Sequence, residues 1–317
     1  MVSVRRTDPT VASHRSTVSP GRPKRVLGVD PDVLWLIVPA LVPIIVLSVA
    51  PLMYGVYLGF TDARAGGGSA PTFTGLENYV RVVNDPYFWE SFGVGFVWAI
   101  SVTAIQFGLS IVLALLLNQR LPGRVAFRLI AILPWAIPPV VVGFIWRLVY
   151  QPNSGLLNTA LRDFGIQDER ISWLTSPVAL PAVVIAAVWA AMPITTVVLL
   201  AALQGVPREL HEAAAIDRAG PLATFRVVTW PTILPTAVAI STLDFINNFN
   251  AFSLVYILTS GSPSGQLRLP MLFAYEEAFR YGNYGYAAAI GNVMVLAVAA
   301  LLIVYLRLAL RRREGRA

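Results

Sequence analysis

Residues 210–221 read Leu210-His211-Glu212-Ala213-Ala214-Ala215-Ile216-Asp217-Arg218-Ala219-Gly220-Pro221, and the segment runs on through Phe225 and Trp230 to Pro231 and Pro235. It is the polar stretch that separates two apolar runs in the second half of the chain, and it is composed like structure rather than like a linker. Pro207 suits the start of a helix, where its missing N–H is not needed. Glu209 and Glu212 lie where the helix dipole favours negative charge. Glu212 to Ala215 is strong helix-forming sequence. Gly220 is placed to stop that helix and Pro221 to restart a second one through Val228. The reading is two short helices joined by a sharp bend, spanning about 205–231 and lying against one face of a membrane.

The membrane follows from composition. The chain of 317 residues is 56% hydrophobic and 13% charged, with mean hydropathy +0.66. Soluble domains carry about a quarter charged residues, so this chain has too little charge to cover a soluble surface of its size. Six apolar runs reach the roughly 20 residues needed to cross a bilayer: about 33–60, 91–118, 125–150, 178–203, 232–258 and 286–308. Strands are excluded, because lipid leaves open sheet edges unpaired. The fold class is therefore an all-α membrane protein, a six-transmembrane-helix bundle occupying 33–309. A polar N-terminal tail, 1–32, is expected to be disordered, and 310–317 form a short basic C-terminal tail. The first apolar run starts too late for a signal peptide.

Basic residues set the orientation. The N-terminal tail holds Arg5, Arg6, Arg15, Arg22, Lys24 and Arg25. The second-to-third connection holds Arg120, Arg124 and Arg128, and the central segment Arg208, Arg218 and Arg226. The C-terminus adds Arg307, Arg311, Arg312, Arg313 and Arg316. The alternate connections hold seven: Arg64, Arg81, Arg147, Arg162, Arg170, Arg268 and Arg280. Both termini and the central segment are expected on the cytoplasmic side. The net charge of +7 thus marks membrane orientation and not a nucleic-acid partner.

Catalytic signatures are missing. The single lysine, Lys24, lies in the tail, so no GxxxxGK[ST] phosphate loop exists. Position 215 is Ala, so His211-Glu212 does not begin an HExxH zinc site. There is no cysteine. Polar chemistry concentrates in the fifth apolar run, which carries Ser241, Thr242, Asp244, Asn247, Asn248, Asn250 and Ser253. Positions 241, 244 and 248 share a helical face, with 247 beside them. A carboxylate facing lipid costs at least about 2.5 kcal/mol, so Asp244 is expected to meet a partner or a wet cavity. Asparagine amides both donate and accept, which suits hydroxyl-rich ligands. This face either lines a translocation path or joins helices by hydrogen bonds. Trp135, Trp146, Trp189 and Phe252 are candidate stacking surfaces for a ring-shaped ligand. Gly55 and Gly59 offer a close helix crossing, while Pro134, Pro138, Pro139 and Pro193 interrupt the third and fourth runs.

Glu212-Ala213-Ala214, Gly220 and Pro231 resemble the "EAA loop" of the membrane subunits of binding-protein-dependent ABC importers. Two positions depart from that pattern. The usual glycine six residues after the Glu is Arg218, so Gly220 is expected to take over the bend, and the usual Leu before the proline is Trp230. Gly75-Leu76-Glu77-Asn78-Tyr79 with Asp85-Pro86-Tyr87-Phe88-Trp89 is similar to the outer segment of the sugar-type permeases. Thr259-Ser260-Gly261-Ser262-Pro263 and Tyr281-Gly282-Asn283-Tyr284-Gly285-Tyr286 extend the likeness. The resemblance implies a permease subunit of a bacterial inner membrane, with Glu212, Ala213, Ala214, Asp217, Gly220 and Pro231 docking on an ATPase. It implies a path lined by Asp244, Asn247, Asn248, Asn250 and Trp189. The implied partners are a second permease, two ATPase subunits that hold ATP and Mg, an extracytoplasmic solute-binding protein, and a neutral sugar or polyol. No cofactor is expected in this chain. Glycerol phosphate or another small solute is the alternative cargo, and an ion-coupled carrier using Asp244 the alternative class.

Overall fold

The structure, a computed structural model, describes residues 31–67, 70–119, 122–175, 177–261 and 267–314. The expectation of disorder for 1–30, Arg120, the segment 262–266 and the last three residues lie outside them. Regular structure among the described residues is helical, with one isolated antiparallel bridge between Thr61 and Phe73. Two boundaries move. Residues 31–32 are already helical, and the helix at the other end continues to Glu314, through most of the supposed tail.

The chain divides into two units, residues 1–54 and 55–317. In the first, helix α1 begins at Pro31 and passes through a π turn at Ile45–Val49. Its described side chains through Tyr54 are exposed, as expected of an apolar helix whose solvent is lipid. The last turn of α1, ending at Leu58, belongs to the second unit.

The second unit contains α2 (Glu77–Asn84), α3 (Pro86–Asn118), α4 (Arg124–Ile132), α5 (Pro139–Val149), α6 (Leu156–Asp163) and α7 (Ala179–Gln204). It continues with α8 (Arg208–Ile216), α9 (Pro221–Phe249), α10 (Ser253–Leu258), α11 (Pro270–Tyr275) and α12 (Tyr284–Glu314). Among the described residues, five helices are long and apolar enough to cross a membrane: Ile37–Leu58 of α1, then α3, α7, α9 and α12. A sixth crossing exists if Arg124–Ala136 and Pro139–Val149 count as one span, and these two halves meet at 96°. The expected continuous third span is therefore broken. The physical cause is the Ile137-Pro138-Pro139 sequence. A residue before proline is pushed out of the helical region; accordingly Ile137 takes φ −86, ψ 127 and Pro138 takes φ −56, ψ 139.

The fifth span differs in the same way. It ends at Phe249 rather than near Leu258, and a separate short helix, α10, follows and packs on α5. Gly143 permits that contact: a Cβ there would stand 2.8 Å from the Ile257 side chain. The core forms on α3 and α7, which pack most extensively on each other. One apolar cluster joins Trp98, Val102, Val183, Phe249, Leu272 and Ile290. A second joins Ala114, Leu117, Leu199, Leu203, Ile233 and Ala237 at the other end of the same helices.

Motif residues of the connection ahead of α3 act as fasteners. Asp85 caps α3 by accepting from the Tyr87 N–H at 2.8 Å and accepts from the Tyr286 hydroxyl at 2.5 Å. Asn78 donates to the Gly59 and Thr61 carbonyls at 3.1 and 2.8 Å. Gly59 abuts α12, where Asn292 donates to Tyr79 Oη at 2.9 Å; a Cβ at Gly59 would lie 2.6 Å from the Asn292 amide nitrogen. Gly55 has nothing within 4 Å. The close approach therefore belongs to one glycine and not to the pair.

Candidate functional site

The central segment folds as a short helix ahead of a long one. Pro207 takes φ −57, ψ 134 just outside α8, and Arg208 and Glu212 pair at 3.1 Å across one turn. Both are largely exposed, so the pair adds little stability. Glu212, Ala213, Asp217, Gly220 and Pro231 are exposed, and Ala214 is half-buried. The turn after α8 is closed by three bonds. Asp217 N–H donates to the Ala213 carbonyl at 3.1 Å, Arg218 N–H to Ala215 at 3.1 Å, and Ala219 N–H to Ala214 at 2.9 Å. The last two form the paired helix-ending motif whose pivot normally is glycine in a left-handed conformation. Here the pivot is Arg218, at φ 54. Gly220 does not take over the bend. It is extended, with φ −67 and ψ 165, and its carbonyl accepts from the Thr224 N–H at the start of α9.

The second short helix is likewise not separate. Pro221–Thr224 passes through a π turn, Phe225–Thr229, into Trp230–Phe249 without interruption. Pro231 and Pro235 remove donors without ending the helix, because local π adjustment and side-chain donors can satisfy freed carbonyls. Thr232 bonds back along the same helix, its hydroxyl donating to the Val228 carbonyl at 2.7 Å. A helix of 29 residues is about 43 Å long, against a hydrocarbon core of about 30 Å. Near the start of α9, α8 packs against the Phe225–Thr229 turn. Trp230 packs 6.1 Å from the Phe225 ring and 6.4 Å from that of Phe107 on α3.

Farther along α9 a polar network crosses three helices. Thr195 Oγ1 on α7 donates to Asp244 Oδ2 at 2.8 Å, and Gln106 Nε2 on α3 donates to Thr195 Oγ1 at 2.7 Å. Asn248 Nδ2 donates to Thr103 Oγ1 at 3.0 Å and reaches Gln106 Oε1 at 3.5 Å. Trp98 Nε1 donates to the Asn248 carbonyl at 2.9 Å. Asp244, Gln106 and Thr195 are buried. The structure thus brings Asp244 and Asn248 together in bonds that tie α9 to α3 and α7. It leaves Asn247 and Asn250 exposed, with Asn250 turned back onto the Ile246 carbonyl at 2.8 Å. Ser241 and Thr242 bond carbonyls of their own helix, Ala237 and Val238, and line a cleft of about 450 Å³ with Thr103 and Phe245. Trp189 is half-buried, edge-on to Trp146 at 5.9 Å. Trp135 is exposed, and Phe252 packs between Tyr256 and Tyr275 at 5.1 and 5.0 Å. Gln106, Thr103 and Thr195 were not singled out in the sequence. The usable signal was Gln106, an amide alone in the middle of a long apolar run.

These features define a class: an all-helical protein with five or six helices long and apolar enough to cross a membrane, two of them joined through a short exposed helix. The chain belongs to the family of binding-protein-dependent transport system inner membrane components, which matches residues 106–314. It is 33% identical over 280 residues to the trehalose/maltose transport system permease protein MalF of Thermococcus litoralis, covering 88% of this chain and 94% of that one. It is 29% identical over 275 residues to the sulfoquinovosyl glycerol transport system permease protein SmoG of Agrobacterium fabrum, covering 86% and 88%. The fold is that of a chain in a bacterial ABC transporter involved in the import of the acidic polysaccharide alginate. The TM-score is 0.76 at 19% identity, over 88% of this chain and 95% of that one.

Proposed function

We propose that this chain is the permease subunit of an ATP-driven importer of a neutral carbohydrate or polyol, supplying half of the translocation path. The observation that carries the cargo class is the 33% identity to a trehalose/maltose permease across nearly the whole of both chains. Neutral cargo fits the spans, since α3, α7 and the Trp230–Phe249 part of α9 contain no Arg or Lys to pair with an anion. A second permease completes the path, a solute-binding protein delivers cargo from outside, and two ATPase subunits hold ATP and Mg²⁺. The exposed α8 and the exposed turn that follows it support docking of one ATPase at Glu212, Ala213, Ala214, Asp217, Gly220 and Pro231. On this reading both termini face the cytoplasm, and this chain makes and breaks no bonds. Asn247 and Asn250 carry polar amides on the side of α9 turned away from the chain's own core, which supports their facing a wet path beside Trp189. Asp244 and Asn248 hold that helix in place behind them.

The test is uptake of radiolabelled trehalose or maltose by proteoliposomes holding the complete transporter. ATP-dependent accumulation is expected. Glu212→Lys abolishes it at normal membrane levels, and Asn247→Ala lowers it severalfold. Accumulation driven by an ion gradient without ATP would instead support a secondary carrier.

A further inference from the structure

We infer that Arg218 is a partner-specificity residue, whose guanidinium meets a carboxylate on the ATPase subunit. The inference rests on the coupling reading above and extends it to a single side chain.

Arg218 is one of two non-glycine residues with positive φ among the described residues. A left-handed backbone costs an L-residue roughly 1–2 kcal/mol that glycine avoids. Glycine stands two positions away, at Gly220, in an extended conformation open to any residue. The glycine is thus where the backbone does not need it, and a long cationic side chain sits where the backbone does. A side chain kept in a strained position is evidence of use elsewhere. Within the chain that use is not visible. Arg218 is exposed and joins no ion pair among the described residues.

Its surroundings point to a protein partner. Ile216 is 82% exposed and Leu222 is 63% exposed, on either side of the turn. Apolar side chains flanking an arginine are the composition of an interface centre, where Arg is enriched and water is excluded. Arg218 precedes Pro221, and Pro221 to Trp230 puts about 13 Å of helix between this turn and the apolar cluster on which Trp230 packs. The geometry places a rigid, positively charged knob with apolar shoulders at the far tip of the element, and such a knob fits an apolar-walled cleft with an acidic group at its floor.

The test is titration of the purified permease pair with the ATPase subunits that co-purify with the wild-type chain, at low and high salt. Arg218→Gly relieves the strain, so its membrane level and thermal stability are expected to equal or exceed wild type. Its affinity for the ATPase is nevertheless expected to fall about tenfold at low salt, with most salt dependence lost. Arg218→Glu is expected to bind more weakly still, and an acid-to-Lys substitution in the ATPase cleft to restore it. Wild-type affinity of Arg218→Gly, with Glu212→Lys unable to bind, would overturn the role of Arg218 alone. Normal binding by Glu212→Lys as well would overturn docking at this element. Loss that appears only in anionic lipid vesicles would assign Arg218 to lipid and also overturn the inference.

Discussion

Asp244 shows how one buried group fixes three helices. Its carboxylate is the terminal acceptor of donors that begin on α3 and pass through Thr195 on α7. Asp244→Ala leaves the Thr195 hydroxyl without its acceptor, at a cost of about 1–3 kcal/mol. Asp244→Asn keeps an acceptor oxygen and is expected to lose less than half as much. Thermal unfolding in detergent reads the difference, and equal stability of all three proteins would remove the network from the account. Gly59 sets a steric limit of the same kind: Gly59→Val forces a shift against Asn292 and Tyr79, with an expected cost of about 1–3 kcal/mol. Outside the membrane, Asp62 accepts from the Thr72 hydroxyl and N–H, each at 2.6 Å, and these bonds hold its carboxyl below the usual carboxylate range. A lowered folded value contributes stability above the ordinary value, and that stability is lost as pH falls through the lowered one. Protease sensitivity of the 61–74 loop is therefore expected to rise only in acid, and Asp62→Asn to remove the pH dependence.

At the scale of elements, the decisive feature is the continuity of α9. The turn after α8 leads directly into the helix that carries Asp244 and Asn247, so on the proposed reading displacement at the turn is carried along one continuous helix. Two glycines inserted between Val228 and Thr229 weaken that rod by roughly 1 kcal/mol each and shift its register. Uptake is expected to collapse while the ATPase still co-purifies; normal uptake would show that the rod is not the transmitter. This continuity was the feature least legible in the sequence. The second short helix was expected to end near Val228, because the π turn that carries it on past Pro231 shows no pattern of its own. Gly220 misled for a related reason: glycine permits a left-handed turn but does not require one, and Arg218 took it. The double proline at 138–139 signalled a kink correctly, yet the size of the bend depended on Ile137 and Pro138 both being forced extended. The apolar runs, the helix at Glu212 and the inward face of Asp244 were legible, since length, propensity and burial cost act locally.

At the scale of the molecule, five long apolar helices and one broken pair are described together with a short helix whose exposed surface includes Ile216. The chain has no cysteine, so one introduced thiol reports on one contact. Ile216→Cys in the complete transporter, labelled with a thiol-reactive photo-cross-linker that inserts into any neighbouring chain, tests the docking directly. The account predicts cross-linking to the ATPase subunit, with yield that changes between ATP-bound and ATP-free states. Absence of any cross-link in a complex that still accumulates carbohydrate on ATP addition would contradict it.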